Sequence, residues 1–147
     1  MEKIINIGIA SDHAGFEMKE ALKLWLQERG YQIEDFGTHS TASMDYPDVA
    51  HPLAKSIEEG RNSIGIAICG SGNGINITVN KHQSIRGALC WTPELASLAR
   101  KHNDANILSL PGRFISIHDA IEIADAFLST DFEGGRHSNR VDKIALK

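Results

Sequence analysis

The stretch "SIGIAICGSGNGINITVN", residues 63–80, decides how this chain folds. Its first part, "SIGIAIC" (63–69), is short, apolar and rich in isoleucine, and reads as a buried strand. A glycine-rich turn follows, and "GINITVNK" continues as a short helix. The same strand–turn–helix rhythm extends in both directions. Upstream, "KIINIGIA" (3–10) is a first strand, and residues 14–29 place Met18, Leu22, Trp25 and Leu26 at helical spacing before a stop at Gly30. "YQIEDF" (31–36) is a second strand, followed by the polar loop "GTHSTASMD". A helix from Pro47 to about Glu59 carries Val49, Leu53 and Ile57 on one face, with Pro47 suited to a first turn.

Downstream, "IRGALC" (85–90) and "ANILSLP" (105–111) are the fourth and fifth strands, separated by a helix from Pro93 to about Lys101. Ile117, Ile121, Ala124 and Leu128 mark a further helical stripe, and a last helix spans about 136–146. Repeated units of this length imply a doubly wound α/β fold, a Rossmann-like three-layer α/β/α arrangement around a five-stranded parallel sheet. Such a fold binds ligands beyond the carboxyl ends of its strands, where strand order reverses. With strands one and three adjacent, "SDHAG" and "CGSGNG" meet at one crevice. The whole chain, 1–147, is expected to be one domain.

Composition narrows the functional classes. The 147 residues are 41% hydrophobic and 23% charged, the balance of a globular protein. A net charge of -4 gives no electrostatic case for nucleic acid or an anionic membrane as partner. No apolar run approaches the about 20 residues of a membrane span. The start, "MEKIINIGIASDH", has no secretory pattern, and two cysteines make no disulfide framework, so a reducing cytoplasm is the expected location.

Several residues could carry chemistry, and each has a plain alternative. Gly70, Gly72 and Gly74 alternate, which lets successive N–H groups face one anion at a helix start, or merely makes a tight turn. Cys69 is either a small packing residue or a thiol whose pKa a helix N-terminus lowers. Cys90, followed by "WTPE" with no glycine nest, reads as packing. Asp12 suits an N-cap as well as a site, with His13 beside it, and His102 with Asn103 suits the C-terminal dipole of its helix. Arg136 and Arg140 are four apart, on one helical face after a Gly-Gly break, a pairing that suits a phosphate or a solvated surface. Arg113 in "LPGRF" adds a cation at the carboxyl end of the fifth strand. All these groups are expected around the same edge of the fold. Seven histidines occur, but no C-x-x-C or H-x-x-x-H spacing, so no metal site is expected.

Six stretches, "SDHAGF", "DYPDVA", "CGSGNGI", "KHQSIRGALC", "ARKHNDANIL" and "FEGGRHSNRV", together resemble the B-type ribose-5-phosphate isomerases of the ribose/galactose isomerase family. The likeness runs in order over nearly the whole chain. It implies a reversible, cofactor-free conversion of ribose 5-phosphate to ribulose 5-phosphate, a step of the pentose phosphate pathway, through an enediolate. By the same likeness Cys69 is the base, and Gly70, Gly72 and Gly74 supply N–H groups to the enediolate. Asp12, Ser71 and His102 handle the sugar and open its ring; His13, Arg113, Arg136 and Arg140 hold the phosphate, with His137 close by. Tyr46, Asn73 and Asn103 wall the sugar. A branch of the family places a glutamate base just after the glycine loop; Ile75 stands there, so the likeness points to the cysteine branch. It also implies a homodimer or tetramer with shared active sites, His102 and Arg113 reaching into the partner's.

Two other functions stay open at this point. A six-carbon isomerase acting on allose 6-phosphate or galactose 6-phosphate would differ mainly along residues 38–46 and 73–76. A non-catalytic sugar-phosphate sensor would keep the arginines but have no use for Cys69, Ser71 and His102 together. A phosphoacceptor receiver domain lacks its acidic cluster here.

Overall fold

The computed structural model describes residues 5–146. Five parallel strands, β1 (Asn6–Ser11), β2 (Gln32–Asp35), β3 (Ile64–Cys69), β4 (Gly87–Leu89) and β5 (Ile107–Pro111), form one sheet in the order β2-β1-β3-β5-β4. The central three are buried on both faces, as parallel strands covered by helices must be. Lys3 and Ile4 of the expected first strand lie outside the described residues. Six helices follow the strands: α1 (Phe16–Glu28), α2 (Pro47–Glu58), α3 (Asn73–Val79), α4 (Pro93–Asn103), α5 (Ile117–Leu128) and α6 (Arg136–Asp142). The last is shorter than the expected 136–146, ending with its carbonyls at Arg140 and Val141 bonded by the N–H groups of Lys143 and Ile144.

Side-chain alternation divides the core in two. Ile7, Ile9, Ile66, Ile68, Leu108 and Leu110 face the layer of α1, α4 and α5, whereas Ala10, Ala67, Cys69 and Ile107 face α2 and α3. The second face is made of small residues for a reason: a Cβ on Gly8 would stand 2.6 Å from Leu53 Cδ1, and one on Gly65 2.9 Å from Ile57 Cδ1. Small strand residues let α2 sit close to the sheet.

Two helical stripes differ from the periodicity. In α5 the buried residues are Ala120, Ile123, Ala124 and Phe127, while Ile117 is 42% exposed. The helix is apolar on more than one side, and packing against both α1 and α4 selects the face with small alanines and one ring. In α1, Lys19 joins Met18, Leu22 and Leu26 in the interior, and Trp25 is half-buried under the Arg29 guanidinium, 4.3 Å away.

Candidate active site

β1 and β3 are hydrogen-bonded neighbours, and the Asp12 N–H donates to the Ile68 carbonyl at 3.1 Å. The turns that follow these strands therefore open on one crevice, where the strand order reverses. Asp12 does cap: its Oδ1 accepts from the N–H groups of Ala14 (3.0 Å) and Gly15 (3.2 Å), starting a 3-10 turn that leads into α1. Those bonds hold a buried carboxylate in one orientation at the crevice. His13 Nδ1 accepts from the Met44 N–H at 3.2 Å, which places the neutral ring's proton on Nε2 and makes that nitrogen a donor.

The three glycines after β3 have three separate reasons. Gly72 is in the left-handed region (φ 77°) at the N-cap of α3, and a Cβ there would collide with Leu89 Cδ1. A Cβ on Gly70 would come within 3.2 Å of Arg113 Nη1, and one on Gly74 would strike the Tyr46 ring, 2.7 Å from its hydroxyl. Close approach by Arg113 and Tyr46, rather than backbone twist, accounts for those two positions. Ser71 Oγ accepts from the Asn73 N–H at 3.2 Å. Gly72 offers no side-chain cap, so apart from the Asn73 N–H held by Ser71 the first-turn N–H groups of α3 are left without a side-chain acceptor from the N-cap.

Cys69 is 4% exposed and packs with Ala10, Val49, Ala67 and Ile75 at the lip of this crevice. Burial pushes the Cys90 thiol up to about 11, so it stays protonated at neutral pH. A hollow of about 540 Å³ opens on the β4 side, lined by Ser71, Asn73, Leu89, Trp91, Pro111 and Phe114. Its wall is largely apolar, with Trp91 and Phe114 more than half exposed.

The remaining residues lie elsewhere. α4 has 11 residues, a run of about 16 Å, and leads from the carboxyl end of β4 back to the start of β5. Arg86, just before β4, donates through Nε to the carbonyls of Asn103 (3.2 Å) and Asp104 (2.9 Å). His102 and Asn103 therefore sit at the amino edge of the sheet. α6 joins them there, because the Glu133 N–H donates to the Lys101 carbonyl at 3.1 Å and the His102 and His137 rings stack with centroids 4.4 Å apart. Burial, the His102 charge and Arg136 lower the His137 pKa against the opposing pull of Glu133. The expectation of one common edge is thus corrected. Asp12, His13, Tyr46, Cys69, the glycine turn and Arg113 share the carboxyl edge; His102, Asn103, Arg136, His137 and Arg140 belong to the other. Arg113, expected to reach a partner, lies over its own Gly70.

Two groups escaped the sequence reading. Lys19 has no exposed surface and pairs through Nζ with Asp35 Oδ2 at 2.7 Å, while Asp35 Oδ1 accepts from the Gly37 N–H at 2.9 Å. Gly37 and Thr38 in turn pair with Ser11 at the end of β1. A lysine on an apolar stripe and an aspartate inside a strand were the signals available. Glu133, four residues before His137, is the second.

Residues 7–144 match the family described as ribose/galactose isomerase. The chain belongs to this family. It is 41% identical over 138 residues to the ribose-5-phosphate isomerase B of Escherichia coli K12, covering 94% of this chain and 93% of that one. Among solved structures, the ribose 5-phosphate isomerase of Thermotoga maritima superposes with a TM-score of 0.94 at 50% identity, covering 96% of this chain and 97% of that one. The Mycoplasma genitalium ribose-5-phosphate isomerase B, solved with bound ribulose-5-phosphate, gives 0.93 at 39% identity over 97% of this chain and 95% of its own. Membership makes this chain an aldose–ketose isomerase of sugar phosphates. No helix among the described residues is long and apolar enough to cross a membrane.

Proposed function

We propose that the chain interconverts ribose 5-phosphate and ribulose 5-phosphate, with Cys69 as the base that moves the proton between C2 and C1. One observation carries the reading: Cys69 ends β3 at the glycine turn that leads into α3, and the oriented carboxylate of Asp12 ends the neighbouring strand β1. Oxygen and carbon acids need different help, and this corner supplies both. The Cys69 thiolate takes the C2 proton from the open-chain aldose; the electrons move onto the C1 oxygen, giving an enediolate. N–H groups of the Gly70–Gly74 turn hold that oxyanion, the kind of preorganised donor set whose loss costs a large rate factor. The C2 hydroxyl proton passes to the C1 oxygen, the carbonyl forms at C2, and the thiol returns its proton to C1, so that the thiolate is regenerated.

Asp12, Ser71 and His102 act on the ring form, His13 Nε2–H and the arginines on the phosphate, and Tyr46, Asn73 and Asn103 on the sugar. Their placement at two edges of one chain supports a site shared between two copies, the amino-edge set of one completing the carboxyl-edge set of the other. The 1–147 chain acts as one domain, in the cytoplasm, within the pentose phosphate pathway. The test is turnover of ribose 5-phosphate against allose 6-phosphate and galactose 6-phosphate, in wild type and in Cys69→Ala. Ribose 5-phosphate is expected to have the highest kcat/KM, and Cys69→Ala to be folded, substrate-binding and inactive. Undiminished turnover in Cys69→Ala would remove the base; preference for a six-carbon phosphate would move the substrate assignment.

A further inference from the structure

We infer that Arg86 is the positioning residue of His102: it fixes the end of α4 so that the imidazole meets the ring form of the sugar phosphate. The inference rests on the proposed role of His102 in opening that ring. Carbonyls in the last turn of a helix have no intrahelical donors, so the groups that bond them decide how that turn is held. In α4 the Arg100 carbonyl accepts from the Asp104 N–H at 3.2 Å, and the Lys101 carbonyl from the Glu133 N–H at 3.1 Å. The Asn103 and Asp104 carbonyls share one donor, Arg86 Nε, at 3.2 and 2.9 Å. His102 therefore sits between two backbone anchors, one from the segment before α6 and one from the residue before β4.

Arg86 is itself locked. Its N–H donates to Asn106 Oδ1 at 2.7 Å and its carbonyl accepts from the Asn106 N–H at 3.0 Å, which ties it to the residue before β5. Its Nη2 lies 3.4 Å from Asp104 Oδ2, while Arg100 Nη1 lies 3.0 Å from Oδ1 of the same carboxylate. Asp104 needs that hold, because it is the one non-glycine residue at positive φ (47°) among those described. A guanidinium does both tasks in the plane of one rigid fork, whereas an ammonium is a single point donor. Ring opening is where such placement counts. The C1 hydroxyl gives up its proton, the bond from C1 to the ring oxygen breaks, and that oxygen takes a proton. A group that moves either proton has to lie within hydrogen-bond reach of it. The His102 side chain is 42% exposed and lies against the His137 ring, so its place follows its backbone. The later proton shift between C2 and C1 happens in the open chain. Loss of Arg86 therefore slows a ring sugar and spares an aldose phosphate that has no ring.

4-Deoxyribose 5-phosphate is such a substrate. Without the C4 hydroxyl it closes no five-membered ring, yet it keeps the aldehyde, the C2 proton and the phosphate at the same chain length. The experiment is steady-state kinetics on this compound and on ribose 5-phosphate, for wild type, Arg86→Ala, Arg86→Lys and His102→Ala, with thermal unfolding of each protein. Arg86→Ala should lose between about tenfold and about 100-fold in kcat/KM on ribose 5-phosphate, the range up to that of a displacement of about 1 Å, and keep its turnover of the deoxy sugar. Arg86→Lys keeps the charge and should show the same split to a smaller degree; if Arg86→Ala is unfolded, Arg86→Lys decides by the same ratio. A merely structural role, or a disturbed phosphate site, lowers both substrates by one factor, and that result would overturn the positioning role. Wild-type turnover of ribose 5-phosphate in folded Arg86→Ala would overturn it too. His102→Ala tests the reading beneath: it should show the full split. Equal loss on both sugars in His102→Ala would remove His102 from ring opening and the inference with it. A split in His102→Ala that neither Arg86 variant shares would overturn Arg86 alone.

Discussion

Lys19 sets the terms at the scale of single residues. A charged ammonium without exposed surface is tolerated because Asp35 accepts from it at 2.7 Å, with Lys23 at 3.1 Å on the same oxygen and the Phe16 ring 5.5 Å away. Burial alone pushes the Asp35 carboxyl up, but the Lys19 hydrogen bond, the Gly37 N–H and Lys23 outweigh it, and the net shift is downward. A carboxylate with a depressed folded-state pKa stabilises the fold above its unfolded pKa. That stability is lost as pH falls from the ordinary carboxylate range through the lowered folded value. Asp35→Asn leaves the buried Lys19 with only the longer ion pair to the half-exposed Glu20, whose Oε2 is 3.5 Å away, a loss of up to about 3–5 kcal/mol for a broken buried pair. Urea denaturation at neutral pH should show it, and the difference between variant and wild type should shrink in acid. A difference that stays constant down to the acid limit would mean that the pair contributes nothing through its charge. The same variant loosens the Gly37–Thr38 turn against Ser11, so KM should rise as well.

At the scale of elements, α6 shows what a short helix can carry. Its seven residues place Arg136 and Arg140 one turn apart, both exposed. Guanidiniums so placed can share a phosphate dianion by charge-assisted hydrogen bonds, the role proposed for them above. The phosphate keeps its charge while the distant proton moves, so this binding is nearly uniform along the reaction. Arg140→Ala should therefore raise KM for ribose 5-phosphate strongly and lower kcat less. Unphosphorylated ribose, with no dianion to hold, should be affected far less. Steady-state kinetics on both sugars decides it, and an equal loss on both would make Arg140 structural. α3 is just as short and does the complementary work: Gly72 alone needs its left-handed backbone, while Gly70 and Gly74 admit Arg113 and Tyr46.

At the scale of the whole molecule, the two edges of the sheet pose the question of assembly. If one copy supplies the carboxyl-edge half and another the amino-edge half, two differently damaged chains can repair each other. A hybrid of Cys69→Ala with the double variant Arg136→Ala/Arg140→Ala contains one site with every defect and one with none. Unfolding and refolding the two proteins together, with activity read at a ribose 5-phosphate concentration too low for the arginine variant to turn over, should restore about a quarter of wild-type activity for random pairing in a two-fold dimer. Mixed chains as inactive as either parent would show that each site is built within one chain.

The alternation of short apolar strands with amphipathic helices was legible in the sequence, because strand and helix periods of 2 and 3.6 are local properties. The spacing of "SDHAG" and "CGSGNG" located the crevice, since parallel connectivity leaves few ways to arrange the strands. The i, i+4 spacing of Arg136 and Arg140 was likewise local. What lay beyond the sequence was every relation across long separations. Lys19 reads as a surface residue until Asp35 is seen 16 positions away beside it. The face of α5 that turns inward depends on α1 and α4 together, not on its own pattern. His102 and His137 are 35 positions apart, and their rings stack where the Glu133–Lys101 hydrogen bond joins the chain before α6 to the end of α4. The chain's local periods determined which elements form; the direction of α4, set by the parallel crossover from β4 to β5, decided which functional groups share an edge.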